Sequence, residues 1–216
     1  MCILSILKDD KSFTLTHNRD EDAKRHTSET LRTLKIHHTV ATFPVDIPTG
    51  GTWILTSPEW TSAMLNGAFN SYKRELPYRH SRGLFPLFLL EYDNAQNYYN
   101  AIDVNNIEPF TQIIIHHKTK EFYVFSWDGK QKVLKTIDES LFVISSSTLY
   151  NQIEKKRHKD VIQSIESPNA DELALIHKKL FWEHKSGFPL LKTTSQTQII
   201  SDYKNKRMKF TKFVEN

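Results

Sequence analysis

Met1-Cys2-Ile3-Leu4-Ser5-Ile6-Leu7-Lys8-Asp9-Asp10-Lys11-Ser12-Phe13-Thr14-Leu15-Thr16-His17-Asn18-Arg19-Asp20-Glu21 opens the chain, and the way this stretch folds decides the rest. Two apolar runs, Ile3 to Leu7 and Phe13 to Thr16, are split by the polar Lys8-Asp9-Asp10-Lys11, which predicts a β-hairpin. If Lys8 pairs with Ser12, facing positions sum to about 20, give or take one. Cys2 then faces Asn18, with Arg19 and Asp20 at the same end of the ladder. Cys2 is the single cysteine and follows the initiator Met1. Removal of Met1 would place a thiol and an α-amino group on one residue, a nucleophile with its own base. A guanidinium beside it would stabilise the thiolate and bring its pKa below about 8.5. A carboxylate there could hold the terminal ammonium. The alternative is a small buried cysteine on an ordinary first strand.

With Cys2, His17-Asn18-Arg19-Asp20-Glu21 and the downstream Gly50-Gly51-Thr52-Trp53, the chain resembles the NRDE-motif family, also called the transport and Golgi organisation family. The likeness continues at Leu65-Asn66, at Ser81-Arg82-Gly83, at Ile144-Ser145-Ser146 and along the last two strands. That family in turn resembles the N-terminal nucleophile hydrolases, in particular the branch of bile salt hydrolases and penicillin V acylases. The resemblance implies an αββα sandwich and assigns catalytic roles to Cys2, Arg19, Asp20 and Asn66. Asn18, Glu21 and Ser146 complete the candidate set as substrate-binding residues. Two departures stand out. Ser145-Ser146 occupies the place of the family's Ser-Asn, which removes an amide donor. Lys192-Thr193-Thr194-Ser195 lacks the family's late arginine.

The chain has 216 residues, enough for one domain with a sizeable core, and is expected to form a single domain over 1–216. Its formal charge of +4, from 29 basic and 25 acidic residues, is mild and spread out. No basic stripe or recognition motif points to nucleic acid. A lone cysteine excludes an internal disulfide and suits a reducing compartment. No apolar run reaches the length of a membrane span, and the first run lacks the flanks of a signal peptide. A cytoplasmic protein is the expectation.

Residues 22–49 are polar and predict a long irregular segment with one short strand near Thr39 to Phe43. His37 and His38 would point to opposite sides if extended, so they would not chelate one metal. Strands are expected at Thr52 to Thr56 and Trp60 to Asn66, the second ending at Asn66-Gly67. In the acylases an asparagine at a comparable strand end binds the developing oxyanion; capping a turn before Gly67 explains Asn66 equally well. Ser81 is the expected N-cap of a helix from Arg82 to Tyr92, and Asn94 to Ile102 a second short helix. Thr111 to His117, Glu121 to Trp127, Gln131 to Thr136 and Leu141 to Ser146 predict strands, with Asp128-Gly129 a clear hairpin signal. Helices are expected from Thr148 to Glu166 and from Ala170 to His184, then a hairpin of Thr194 to Tyr203 and Arg207 to Val214 about Lys204-Asn205-Lys206.

Strands at both ends and in the middle, with helical blocks between, exclude a simple alternating βαβ order. They predict an α+β fold, a four-layer αββα sandwich of two stacked antiparallel sheets. Two functions fit. One is an N-terminal cysteine hydrolase cleaving a carbon–nitrogen amide bond in a small acylated substrate, with no cofactor required. The other is a non-catalytic carrier or chaperone for haem, a lipid or an acyl-CoA, as the family resemblance implies. A haem site would need an axial His or Cys in an apolar pocket.

Overall fold

The computed structural model describes residues 2–166, 168–181 and 190–213. The chain runs through β1 (Cys2–Lys8), β2 (Phe13–Asp22), β3 (Arg32–Ile36), β4 (Thr39–Phe43), β5 (Ile54–Thr56) and β6 (Trp60–Asn66). Next come α1 (Phe85–Phe88) between two 3-10 turns, α2 (Ala95–Ala101), β7 (Phe110–His116), β8 (Glu121–Trp127), β9 (Lys132–Thr136) and β10 (Leu141–Ser145). Helices α3 (Gln152–Gln163) and α4 (Ala170–Lys179) and strands β11 (Leu191–Ser201) and β12 (Lys206–Lys212) complete it. The class is α+β, as expected, with two antiparallel sheets ordered β10-β1-β2-β11-β12 and β3-β4-β5-β6-β7-β8-β9. They belong to two compact units, residues 1–26 with 139–216, and residues 27–138. Among the described residues, no helix is long and apolar enough to cross a membrane.

The first hairpin forms within the expected range of register but one residue from its centre. Asp9 Oδ1 accepts from the amides of Lys11 and Ser12, both at 2.7 Å, so four residues make the turn and Lys8 pairs with Phe13. Cys2 therefore faces Arg19, and Asn18 faces Ile3. Strand β2 also runs past Thr16 to Asp22, because β11 pairs with it throughout. A polar run of this kind carries no apolar alternation from which a strand could be read.

In this unit α3 and α4 cover one face of the five-stranded sheet, burying Ile3, Leu149, Tyr150, Ile162, Leu173 and Leu180 together. Much of the seam is polar. Asn18 Nδ2 donates to the carbonyl of His177 (2.8 Å), Gln196 Nε2 to that of Ala174 (3.0 Å) and Gln198 Nε2 to that of Ala170 (2.6 Å). Those carbonyls recur at helical spacing along one side of α4, so three strand carboxamides hold the helix in register. Ser5 Oγ meets His177 Nε2 at 2.8 Å, and Ser145 Oγ meets His158 Nδ1 at 2.9 Å. Asn151 and Asn169 close capping boxes with Glu154 and Glu172, so α3 begins at Gln152 rather than at Thr148. The closing hairpin turns at Asp202–Asn205, where Asp202 Oδ1 accepts from the amides of Lys204 and Asn205, not at 204–206. The expected end of the second helix at 182–184, Ser167 of its preceding break, and Val214 lie outside the described residues.

In the unit of residues 27–138, the segment expected to be irregular contains the β3–β4 hairpin. Its turn is at His37, with φ 53°, whose Nε2 lies 2.9 Å from Glu91 Oε1. The outer strand β3 is exposed and polar at most positions, so its apolar signal is weak. Ser81 caps the following segment by accepting from Gly83 N, yet residues 82–91 form 3-10, α and 3-10 turns rather than one helix. Pro86 lacks the N–H that a continuous helix would use. Phe85, Leu89 and Tyr98 pack with Trp60, Phe110 and Phe125 into this unit's core. Two separated motifs meet here: Thr52 N donates to Gly83 O at 2.8 Å, and a Cβ at Gly51 would lie 2.6 Å from the Gly83 carbonyl carbon.

Three substitutions test these contacts through stability. Gly51→Ala should cost about 2–3 kcal/mol in urea unfolding through backbone collision. Gly50→Ala, with open space but φ +67°, should cost only about 1 kcal/mol. Burial pushes His177 down to about 3, with His158 adding to the effect. The neutral ring is the folded form, so its contribution is full above the unfolded value of about 6.5 and disappears as pH falls towards 3. His177→Asn should flatten that part of the urea stability–pH curve relative to the wild-type chain.

Candidate functional site

Cross-strand partners project from the same face of a sheet, so the β1–β2 register sorts the candidate residues. Cys2 and Arg19 share one face; Ile3 and Asn18 share the other, towards α4. Ser195 of β11 stands opposite Arg19 in turn. The register between β2 and β11 shifts at Thr193/Ser195, leaving Thr194 as the extra residue of a bulge. That bulge turns Thr194 onto Arg19: its Oγ1 donates to the Arg19 carbonyl at 3.1 Å and accepts from Arg19 Nη1 at 3.4 Å.

The Asp20 carboxylate is wholly buried and takes one hydroxyl on each oxygen. Thr193 Oγ1 donates to Oδ1 at 2.7 Å, and the Tyr150 hydroxyl donates to Oδ2 at 2.7 Å. Glu21 Oε2 lies 3.7 Å from Arg19 Nη2 and 4.0 Å from Arg25 Nε. Burial works to raise the Glu21 pKa, but the positive charges around it, Arg19 and Arg25 among them, and the Asp22 amide leave it below the usual value. Ser146 contributes its backbone: its N–H donates to the Cys2 carbonyl at 2.9 Å, while its Oγ pairs with Thr148 Oγ1 at 3.0 Å.

Cys2, Arg19, Asp20, Glu21 and Ser146 thus lie around one end of the five-stranded sheet. Asn18 projects from the face opposite Cys2 and Arg19, its amide committed to the His177 carbonyl and its Oδ1 accepting from Gln196 Nε2 at 3.3 Å. Asn66 belongs to the other unit, at the end of β6 opposite Phe110. The Gly67 that follows has φ 76°, donates to the Pro109 carbonyl at 2.9 Å and accepts from Thr111 Oγ1 at 2.9 Å, which pins the corner. Tyr150 and Thr193 were not legible as site residues, because both act through side chains far along the chain from Asp20. Lys192-Thr193-Thr194-Ser195 registered only as the loss of an arginine, whereas its hydroxyls engage Arg19 and Asp20. Among the described residues, no three His, Cys, Asp or Glu side chains are grouped to hold a metal ion.

The thiol differs from expectation. Cys2 is 2 % exposed, and burial pushes its pKa up; Asp20 adds to the rise, and nearby positive charge, Arg19 included, only partly offsets it. In the chain that carries Met1, the guanidinium does not win over desolvation.

The model of the Transport and Golgi organisation 2 family matches residues 1–211. No curated protein matches the chain. Among solved structures, the chain is similar to a cysteine-to-alanine mutant of the conjugated bile acid hydrolase from Clostridium perfringens, with 9% identity and a TM-score of 0.60. An arginine-to-leucine variant of the same enzyme gives 10% identity and the same TM-score of 0.60. In both cases 98% of this chain and 92% of the other are covered. At such identity the likeness establishes the fold, that of the N-terminal nucleophile hydrolases, as the sequence led us to expect.

With Met1 retained, iodoacetamide should alkylate Cys2 more slowly at pH 8 than it alkylates a cysteine peptide, and the rate should climb only at more alkaline pH. Asp20→Asn should speed the reaction and Arg19→Ala should slow it, following the sign of each charge. Alkylation as fast as the peptide's would contradict the buried thiol.

Proposed function

Because the chain belongs to the Transport and Golgi organisation 2 family, we propose that it is an N-terminal cysteine amidohydrolase, acting on a small acylated amide once Met1 is removed. The observation that supports this most directly is Cys2 standing opposite Arg19, with the Asp20 carboxylate anchored next along β2. In this scheme the freed α-amino group takes the thiol proton, and Sγ attacks the amide carbonyl. Arg19 steadies the thiolate. The ammonium then protonates the leaving nitrogen as the carbon–nitrogen bond breaks. Water, deprotonated by the same amine, opens the thioester and returns the thiol. The balance is amide plus water giving carboxylic acid plus amine, with no cofactor. Glu21 keeps the guanidinium in place, and Ser146 fixes the backbone of Cys2.

A second reading, a non-catalytic carrier for haem, a lipid or an acyl-CoA, is the alternative that the family resemblance implies. One set of measurements separates the two. Intact mass from the native host shows whether Met1 is lost. The chain with Cys2 first is then assayed on a panel of acyl amides and titrated with haem. We expect turnover that Cys2→Ser abolishes. Turnover that survives Cys2→Ser, or quantitative retention of Met1, would remove the hydrolase reading. Haem binding indifferent to Cys2→Ser, without turnover, would favour the carrier.

A further inference from the structure

A buried carboxylate beside a terminal amine poses a chemical difficulty. A full negative charge stabilises the ammonium, yet an amine that must accept the thiol proton needs a proton affinity matched to the working pH. Asp20 does not present a bare charge. Tyr150 and Thr193 each donate a hydroxyl hydrogen to a different carboxylate oxygen, both at 2.7 Å and both in the interior. Two donors of this kind draw off part of the charge and also fix which lone pairs remain for a third partner.

Neither hydroxyl is a loose surface group. The Tyr150 ring stands edge-on to His158, with centroids 4.5 Å apart, and His158 is bonded through Nδ1 to Ser145 of β10. The Tyr150 amide donates to the Ser146 carbonyl at 3.2 Å, and the Ser146 amide donates to the Cys2 carbonyl at 2.9 Å. The tyrosine that touches Asp20 is thereby tied back to the residue that carries the amine. Thr193 precedes the β11 bulge, so its hydroxyl reaches Asp20 while Thr194 reaches Arg19.

We propose that Tyr150 and Thr193 are positioning residues that set, through Asp20, the proton affinity of the amino group on Cys2. The inference rests on the hydrolase reading for its purpose, because it presumes a Cys2 amine next to Asp20. The other charged or titratable groups around the pair are the Cys2 thiol on β1, Arg19 and Glu21 on β2, Lys192 on β11, and His158 on the helical side. All of them except the Cys2 thiol, which the serine background replaces with a hydroxyl in every variant alike, stay in place in the test.

The chain is released from a tag with residue 2 first, in a Cys2→Ser background that keeps acyl transfer from sulfur out of the measurement. The rate of α-amine acylation is followed from pH 6 to 10 on the terminal peptide by mass spectrometry. Tyr150→Phe leaves more charge on Asp20, so the apparent pKa of the amine rises, by about half a unit or more. Thr193→Val moves it in the same direction. Asp20→Asn lowers it, and in that background Tyr150→Phe has no further effect. An amine pKa that stays put or falls in Tyr150→Phe, with the urea midpoint showing a folded chain, overturns the role of Tyr150; the same result in Thr193→Val overturns that of Thr193. If Tyr150→Phe does not fold, the Thr193→Val result alone decides whether donors on Asp20 tune the amine. Turnover of acyl amides plays no part in the measurement, so failure of the hydrolase reading and failure of this inference remain distinguishable.

Discussion

The register of the first hairpin is the constraint on which the candidate site depends. The Asp9 carboxylate closes a four-residue turn, Lys8 meets Phe13, and every later pair on β1 and β2 follows. Side chains alternate along a strand, so a slip by one residue would exchange the faces of β2. Arg19 would then lie under α4, where Asn18 now donates to the His177 carbonyl, and Asn18 would lie beside Cys2. A guanidinium buried against a helix pays a desolvation cost that even its Glu21 partner need not repay, whereas a carboxamide there is satisfied. The α4 seam and the Cys2–Arg19 pair therefore enforce the same register.

The centre of this sheet is more polar than is common for a buried one. Arg19, Asp20, Asn18, Gln196 and Gln198 are all buried, and each is bonded to a named partner. Such groups stabilise little in net terms, since each hydrogen bond replaces one to water. Their effect is on uniqueness: a shifted strand would leave several of them unpaired in the interior, at about 1–3 kcal/mol apiece. Rigidity at the Cys2 end follows, because the β11 bulge and the Tyr150 hydroxyl leave Arg19 and Asp20 little freedom.

The same arrangement makes the thiol poorly reactive while Met1 remains. Burial raises its pKa, and the neighbouring Arg19 cannot compensate for the loss of water. On the proposed hydrolase reading, the amine exposed by removing Met1 would serve as the base for this buried thiol. Processing would then supply the missing group rather than rearrange existing ones.

Much of the fold was legible in local pattern. Alternating apolar runs marked β1, β6, β7 and β8, Asp128-Gly129 marked a hairpin, and Ser81 and Asn94 marked helix starts, because these signals depend on neighbours in the chain. Cys2, Arg19 and Asp20 stood out as residue types able to do chemistry. Beyond that, sequence pattern lost its hold wherever a partner distant in sequence decided the outcome. The polar end of β2 is a strand because β11 pairs with it, and the exposed β3 exists because β4 supports it. Whether Cys2 faces Asn18 or Arg19 depended on one carboxylate capping two amides in a turn. Tyr150 and Thr193 reached Asp20 only through tertiary contact, across 130 and 173 positions of chain. Composition and periodicity determined the apolar strands, most of the helix starts and which side chains are chemically capable. Register, burial and the hydroxyls on the buried carboxylate were decided by packing, since a side chain's proton affinity is set by what surrounds it in space and not by its neighbours in sequence.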